Sequence, residues 1–207
     1  DAFGDVPLTE ALKGNDFGQP KYDSQASVYD SIFTFLDKGA ALLNTPTSSS
    51  PGEQDMLFKG DINKWKAFTN TLKLKAYLRL AKVNEAKAKA GIAALYATNP
   101  TFVSADAAIA YSTTGGNENP FYNEMVGLGR TQNAVASSTA VNAFRRNNDL
   151  RLNKFYDLAD GQTVLNSIVQ GNYGDPKVEK IVSIPSSLVG GNANAGASAT
   201  APVKLIS

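Results

Sequence analysis

The sequence predicts a mainly α protein in which stacked helix hairpins support a loop-rich layer. Three observations predict it. Residues 61–83, DINKWKAFTNTLKLKAYLRLAKV, read as a helix with two apolar faces. At 100° per residue Ile62, Trp65, Phe68, Leu72, Ala76, Leu80 and Val83 share one stripe, and Ala67, Leu74, Leu78 and Ala81 share the opposite one. A short turn then leads into a second helical pattern, which makes an antiparallel hairpin, the unit of helical-repeat scaffolds. From Thr101 the periodicity gives way to a texture of glycine, asparagine, serine and threonine. A helix with one apolar face lies on a surface; two faces require neighbours front and back. Lys64, Lys75 and Lys82 on one flank, and Lys66 and Lys73 on the other, can lay their stems on apolar surface while the ammonium groups stay in water.

In chain order, DAFGDVPLTEALKGN holds a Gly4-Asp5 turn followed by Pro7, a connector leading away from something already folded. Lys21 to Leu43 reads as a helix capped by Asp23 or Ser24. Val28, Tyr29, Ile32, Phe33, Phe35, Leu36, Ala40 and Leu43 make its apolar arc, and Ser27, Asp30, Ser31, Thr34, Asp37 and Lys38 its wet one. TPTSSSPGEQ, residues 45–54, is a loop by composition. Gly60-Asp61 supplies a stop and a start, with Asp61 as N-cap of the two-faced helix. Asn84-Glu85 opens the third helix, which Asn99-Pro100 ends; Ala88, Ile92, Leu95 and Tyr96 lie on one of its sides, and Ala86, Ala90, Ala93 and Ala97 offer another where a partner backbone could approach. Beyond it, Ser138 to Asn147 reads as a short helix with Val141 and Phe144 inward. Tyr111, Phe121, Tyr122, Phe155, Tyr156 and Tyr173 supply aromatic packing to a polar half, and GGNANAGASATAP, residues 190–202, reads as a flexible excursion.

The chain has 207 residues, 43% of them hydrophobic, enough for a substantial core. Twenty basic and nineteen acidic residues leave a formal charge of +1, so no nucleic-acid footprint is visible. No run approaches the roughly eighteen apolar residues that span a bilayer. There is no cysteine and no histidine. A Ser-His-Asp triad, thiol catalysis, disulfides and imidazole or thiolate metal sites are thereby excluded within the chain. What survives is carboxylate, lysine, tyrosine or serine chemistry and plain binding; a binding protein without cofactor or metal, not an enzyme, is expected.

Several strings together carry a family resemblance: Phe3-Gly4-Asp5-Val6-Pro7 with Glu10-Ala11-Leu12, Pro20-x-Tyr22-Asp23, Leu36-Asp37-Lys38, and Leu57-x-x-Gly60-Asp61-x-x-x-Trp65-x-x-Phe68-x-Asn70-x-Leu72-x-Leu74-x-x-Tyr77-x-Arg79-Leu80. With the later Asn148-Asp149-Leu150-Arg151-Leu152, where the family has proline at the place of Leu150, they resemble the SusD/RagB family in order and spacing from residue 3 to about 156. The resemblance implies a SusD-like fold, present in part: tetratricopeptide-like helix hairpins, with a loop-rich layer and small strands carrying the sugar site. It implies a surface-exposed lipoprotein of the outer membrane of Bacteroidetes, which binds glycans without catalysis and delivers them to a SusC-like, TonB-dependent transporter. It also implies that a lipidated cysteine and further helices precede Asp1, so that the chain is an internal piece of a longer protein. Residues 1–100 are then the helical scaffold, and 101–207 the loop-rich, ligand-facing region of the same domain.

Sugar binding needs aromatic faces against ring C–H groups and amides, carboxylates or guanidinium groups for the hydroxyls. Trp65 sits on the apolar stripe and reads as core; Asp61 and Arg79 read as a cap or structural ion pair. Tyr111, Asn117, Asn119, Phe121, Tyr122, Asn123 and Arg130 bring the required groups into one segment without helical periodicity, densest in GGNENPFYNEM. The same string also reads as a turn punctuated by Gly115-Gly116 and Asn119-Pro120, with Phe121 or Tyr122 anchored beneath it. Asn172 and Tyr173 form a second candidate. Asp149-Leu150-Arg151 reads as a turn-fixing element. Glu118, Glu124, Asp106 and Asp149 could form a glycosidase pair only at a separation that sequence does not give; a helical scaffold binding a peptide or protein partner is the other class of function left open.

Overall fold

A computed structural model describes residues 3–46, 49–128, 134–158, 161–172, 182–185, 200 and 203–206. It is mainly helical, as expected, and divides into two compact units: Asp1–Ala107 with Lys204–Ser207, and Ala108–Val203.

The first unit is built on three helices, α1 (Gln25–Leu43), α2 (Ile62–Leu80) and α3 (Glu85–Tyr96). The two-faced helix α2 packs against both α1 and α3, the middle position its pattern requires. Tyr29 and Phe33 of α1, Leu80 of α2 and Ala88 of α3 form the buried cluster, with Ala76 and Tyr77 packed on it. The Phe33 and Tyr77 rings stack at 4.2 Å and 18°. Around this cluster the wet arc of α1 is tied to its neighbours, Asp37 to Lys73 at 2.5 Å and Asp30 to Lys87.

The caps are specific. Ser24, not Asp23, caps α1, its Oγ accepting from Ser27 N at 3.3 Å. Asp23 is drawn instead to the connector, where its carboxylate accepts from Leu8 N at 2.9 Å and Thr9 N at 2.8 Å, while Val6 and Asp23 exchange backbone bonds. The Thr9 and Leu8 amides hold its carboxyl below the usual range against the opposing effect of burial. Asp5 accepts from Gln25 N at 2.8 Å, so the connector also supplies an acceptor to the exposed start of α1. Asp61 caps α2 by accepting from Asn63 N and Lys64 N, and Asn84 caps α3 through Lys87 N.

Three apolar patterns end differently from expectation. On α1, Phe35 is 60% exposed, because it lies 200° around the helix from the buried Phe33. On α3, Ala86, Ala90, Ala93 and Ala97 face solvent; the close approach occurs on the Ala88–Leu95 side, where Gly91 lies directly under the Tyr77 ring. α2 ends at Leu80, three residues before the pattern predicts, and Leu78, Ala81 and Val83 at the end of the two stripes are exposed.

The second unit contains α4 (Pro120–Tyr122), α5 (Ser138–Arg146), α6 (Leu152–Phe155) and a two-stranded antiparallel sheet of β2 (Tyr156–Asp157) and β3 (Ile184–Pro185), in register Tyr156↔Pro185 and Asp157↔Ile184. The remaining described strands, β1 (Ala107–Ile109) and β4 (Val203–Ile206), pair with each other. Val141 faces inward as predicted and is fully buried with Ala136, beside Leu165 and Val182; Val135, Leu152, Tyr156 and Ile168 pack on this core. Backbone bonds from Ala136 N to Ser183 O, Ile168 N to Ala136 O and Ser183 N to Asn166 O lace three chain segments through it. Here loops stand in for long elements because their buried amides pair with one another across the core.

Candidate functional site

The segment with the predicted sugar-binding chemistry folds as a turn followed by an irregular helix. Ser112 N donates to Asn117 O and Asn117 N to Thr114 O, both at 2.9 Å, closing a loop that Gly116 completes at φ 88°. Gly116 N donates to Glu118 Oε2. Asn119 then caps α4: its Oδ1 accepts from Phe121 N at 2.9 Å and Tyr122 N at 3.2 Å, and Pro120 takes the first helical position. After one turn the helix widens into a π-helical stretch, Asn123–Gly127, with Leu128 N donating to Asn123 O at 3.0 Å. Single π turns of this kind recur at functional sites.

This arrangement sorts the predicted residues. Asn119 is buried, 8% exposed, with its amide oxygen committed to the cap. Phe121 presents an apolar ring, 49% exposed, and the Asn117 and Asn123 side chains are exposed on the same segment. Tyr111 and Tyr122 are half-buried. Asn123 rests its side-chain oxygen over Gly127, where a Cβ would collide with it. Arg130 and Tyr173 lie outside the described residues, as does 190–199; Asn172 is exposed in a turn closed by its own N–H to Val169 O.

Trp65 is turned inward. Its Nε1 donates to Asp55 Oδ2 at 2.7 Å, and its ring meets Phe58 and Phe68 edge to face at 5.1 and 5.6 Å. Asp55 also accepts from Leu57, Phe58 and Gly60 N–H groups. Burial pushes this carboxyl up, but the Gly60 amide, the indole and the other two amides together outweigh it and bring its pKa down to about 2. Asp149 works in the same manner at the turn before α6: it accepts from Arg151 N, Nε and Nη2, and the guanidinium holds the carboxyl below its ordinary value. Leu150, standing where the resembled family has proline, is 87% exposed at the tip of that turn, and Leu152 N still closes it onto Asp149 O at 3.2 Å.

Concavities among the described residues escaped the sequence reading. In the first unit Arg79 lines a groove of about 430 Å³ with Gln25, Asp30, Asn84 and Lys87. In the second, a cavity of about 520 Å³ lies between α6, β2 and residues 163–165, with Arg145, Asn153, Tyr156 and Asp157 in its wall. The adjacent aromatic and carboxylate of Tyr156-Asp157 were the available signal, hidden because the pair belongs to a two-residue strand that no periodicity reveals.

A family model described as starch-binding and associating with the outer membrane, SusD-like, matches residues 1–205. The chain belongs to the SusD-like family. Solved structures agree on the fold. A SusD homologue from Bacteroides vulgatus superposes at TM-score 0.68 with 19% identity, over 98% of this chain and 40% of that one. A chitin-binding SusD homologue from Flavobacterium johnsoniae gives 0.64 and 19%, over 99% and 41%. A chitin-binding protein gives 0.63 and 24%, over 98% and 44%. The SusD-like chain thus spans less than half the length of these structures. Comparison with curated proteins finds no match. Among the described residues of this SusD-like chain no helix is long and apolar enough to cross a membrane.

Proposed function

We propose that this protein captures glycans at the bacterial outer surface, without catalysis, and passes them to a SusC-like, TonB-dependent transporter, held at the membrane by a lipid anchor outside this chain. The observation that carries the reading is the family match over residues 1–205, to a model described as starch-binding. The structures of chitin-binding proteins with the same fold add support for a polysaccharide ligand. The chemistry of the 111–128 segment is compatible with it: an exposed Phe121 ring for the C–H face of a sugar, with the exposed amides of Asn117 and Asn123 for hydroxyls. Arg130 is retained as a contact on its chemistry alone. Binding alone suffices for capture, and the carboxylates that could run glycoside hydrolysis are what the incubation below tests.

Affinity electrophoresis and calorimetry of the intact protein against starch, chitin oligosaccharides and other neutral glycans test this. Retention by at least one glycan, with no reducing ends released on long incubation, is the expected outcome. Failure to bind any of them, or steady product release, overturns it.

A further inference from the structure

The cavity of about 520 Å³ in the second unit uses none of the residues of the 111–128 segment, and its volume falls in the range of about 300–1,000 Å³ typical of small-molecule sites. Its wall is stiff where it matters. Arg145 leaves the last turn of α5 and donates Nη2 to Leu165 O at 2.7 Å, which fixes the guanidinium with donors to spare. Tyr156 is packed on the core of the unit and paired through β2 to Pro185. The amide of Asn153 and the hydroxyl of Thr163 are exposed and have no hydrogen-bond partner among the described residues. Val164, 60% exposed, adds an apolar edge beside them.

The mixture selects its ligand class. An apolar molecule would leave the amide, hydroxyl and guanidinium unpaired on desolvation, a cost of about 1–3 kcal/mol per group. The wall carries one guanidinium and one carboxylate, Arg145 and Asp157, so it offers a phosphate or carboxylate no net opposite charge. A neutral ring that carries hydroxyls on its edge and C–H groups on its face suits all of them. We propose that this cavity is a second saccharide site, which takes a neutral pyranose unit between Tyr156, Asn153, Thr163 and Arg145. The inference rests on the glycan ligand class proposed above, but not on the 111–128 segment as its site.

The test is a titration of the isotope-labelled intact protein, followed amide by amide by NMR, with maltohexaose, chitohexaose, glucuronate and inorganic phosphate as separate probes. Saturable shifts at Asn153, Thr163 and Val164 are expected with a neutral oligosaccharide and not with either anion. Asn153→Ala and Thr163→Val, changes at exposed side chains, each weaken that binding about three- to tenfold and leave the melting temperature unchanged. Shifts confined to residues 111–128 overturn the second site and leave the function standing; shifts confined to residues 152–165 keep this site and remove the 111–128 assignment. Tighter binding of glucuronate or phosphate, or no shift near the cavity with any oligosaccharide, overturns the inference.

Discussion

Asp55 collects four donors on one carboxylate, three backbone N–H groups and the Trp65 indole, and so fixes both the loop before α2 and the aromatic cluster of Phe58, Trp65 and Phe68. Its pKa of about 2 sets a pH window. The deprotonated form is favoured by folding, so its contribution is complete above the unfolded-state value near 4 and is lost as pH falls through about 2. Asp55→Asn should therefore lower the melting temperature at neutral pH, and the gap between wild type and variant should close as pH falls from about 4 to 2. A gap constant across that range would contradict the role given to the carboxylate. Trp65→Phe keeps an aromatic edge but loses the donor, and a fall of a few degrees in Tm is expected by calorimetry. The inward side of Trp65 was legible in the stripe it shares with Phe68 and Leu72. Its partner was not, because Asp55 lies in a loop whose hydrogen bonds follow no period. Asp23 failed as the alternative helix cap for a related reason: its bonds go to Leu8 and Thr9, distant in sequence, and local propensity is blind to them.

Helix α2 shows how much an element's pattern can say. Its double stripe required neighbours on two sides, and α1 and α3 occupy them. The face of α3 was misread because alanine suits a close approach and a solvent-exposed helix surface equally well. Glycine decides the matter. A Cβ on Gly91 would enter the Tyr77 ring, and that ring cannot retreat freely because its other face is stacked on Phe33. Gly91→Ala gains intrinsic helix propensity of about 1 kcal/mol yet should still destabilise the protein, since overpacking of this kind costs about 1–3 kcal/mol and here displaces two helices at once. Chemical denaturation checks it; a variant as stable as wild type would mean that α3 shifts at no cost. Gly91→Ala combined with Tyr77→Leu should recover part of the loss, because the obstructing ring is gone.

At the scale of the molecule, regular helices dominate the first unit, and in the second, short elements are held by backbone bonds between distant segments. The helical half was therefore largely readable, and the concavities of the other half were not: Arg145, Asn153 and Tyr156 meet through pairings such as Ala136 with Ser183 that only a folded chain reveals. Charge separates the remaining functional classes. With a net charge of +1 the chain offers no long-range field to a neutral polysaccharide, and the contacts proposed through Phe121 or Tyr156 would be apolar and short-ranged. Affinity for a neutral glycan should then change less than about twofold between 50 mM and 500 mM salt, while Phe121→Ala should weaken it about three- to tenfold at either concentration, the worth of covering the exposed half of an aromatic side chain. A peptide held in the groove of Asp30, Arg79 and Lys87 would behave in the opposite way, weakening with salt and ignoring Phe121. A glycan affinity that falls steeply with ionic strength would place binding on charged residues and remove the aromatic contact from the mechanism.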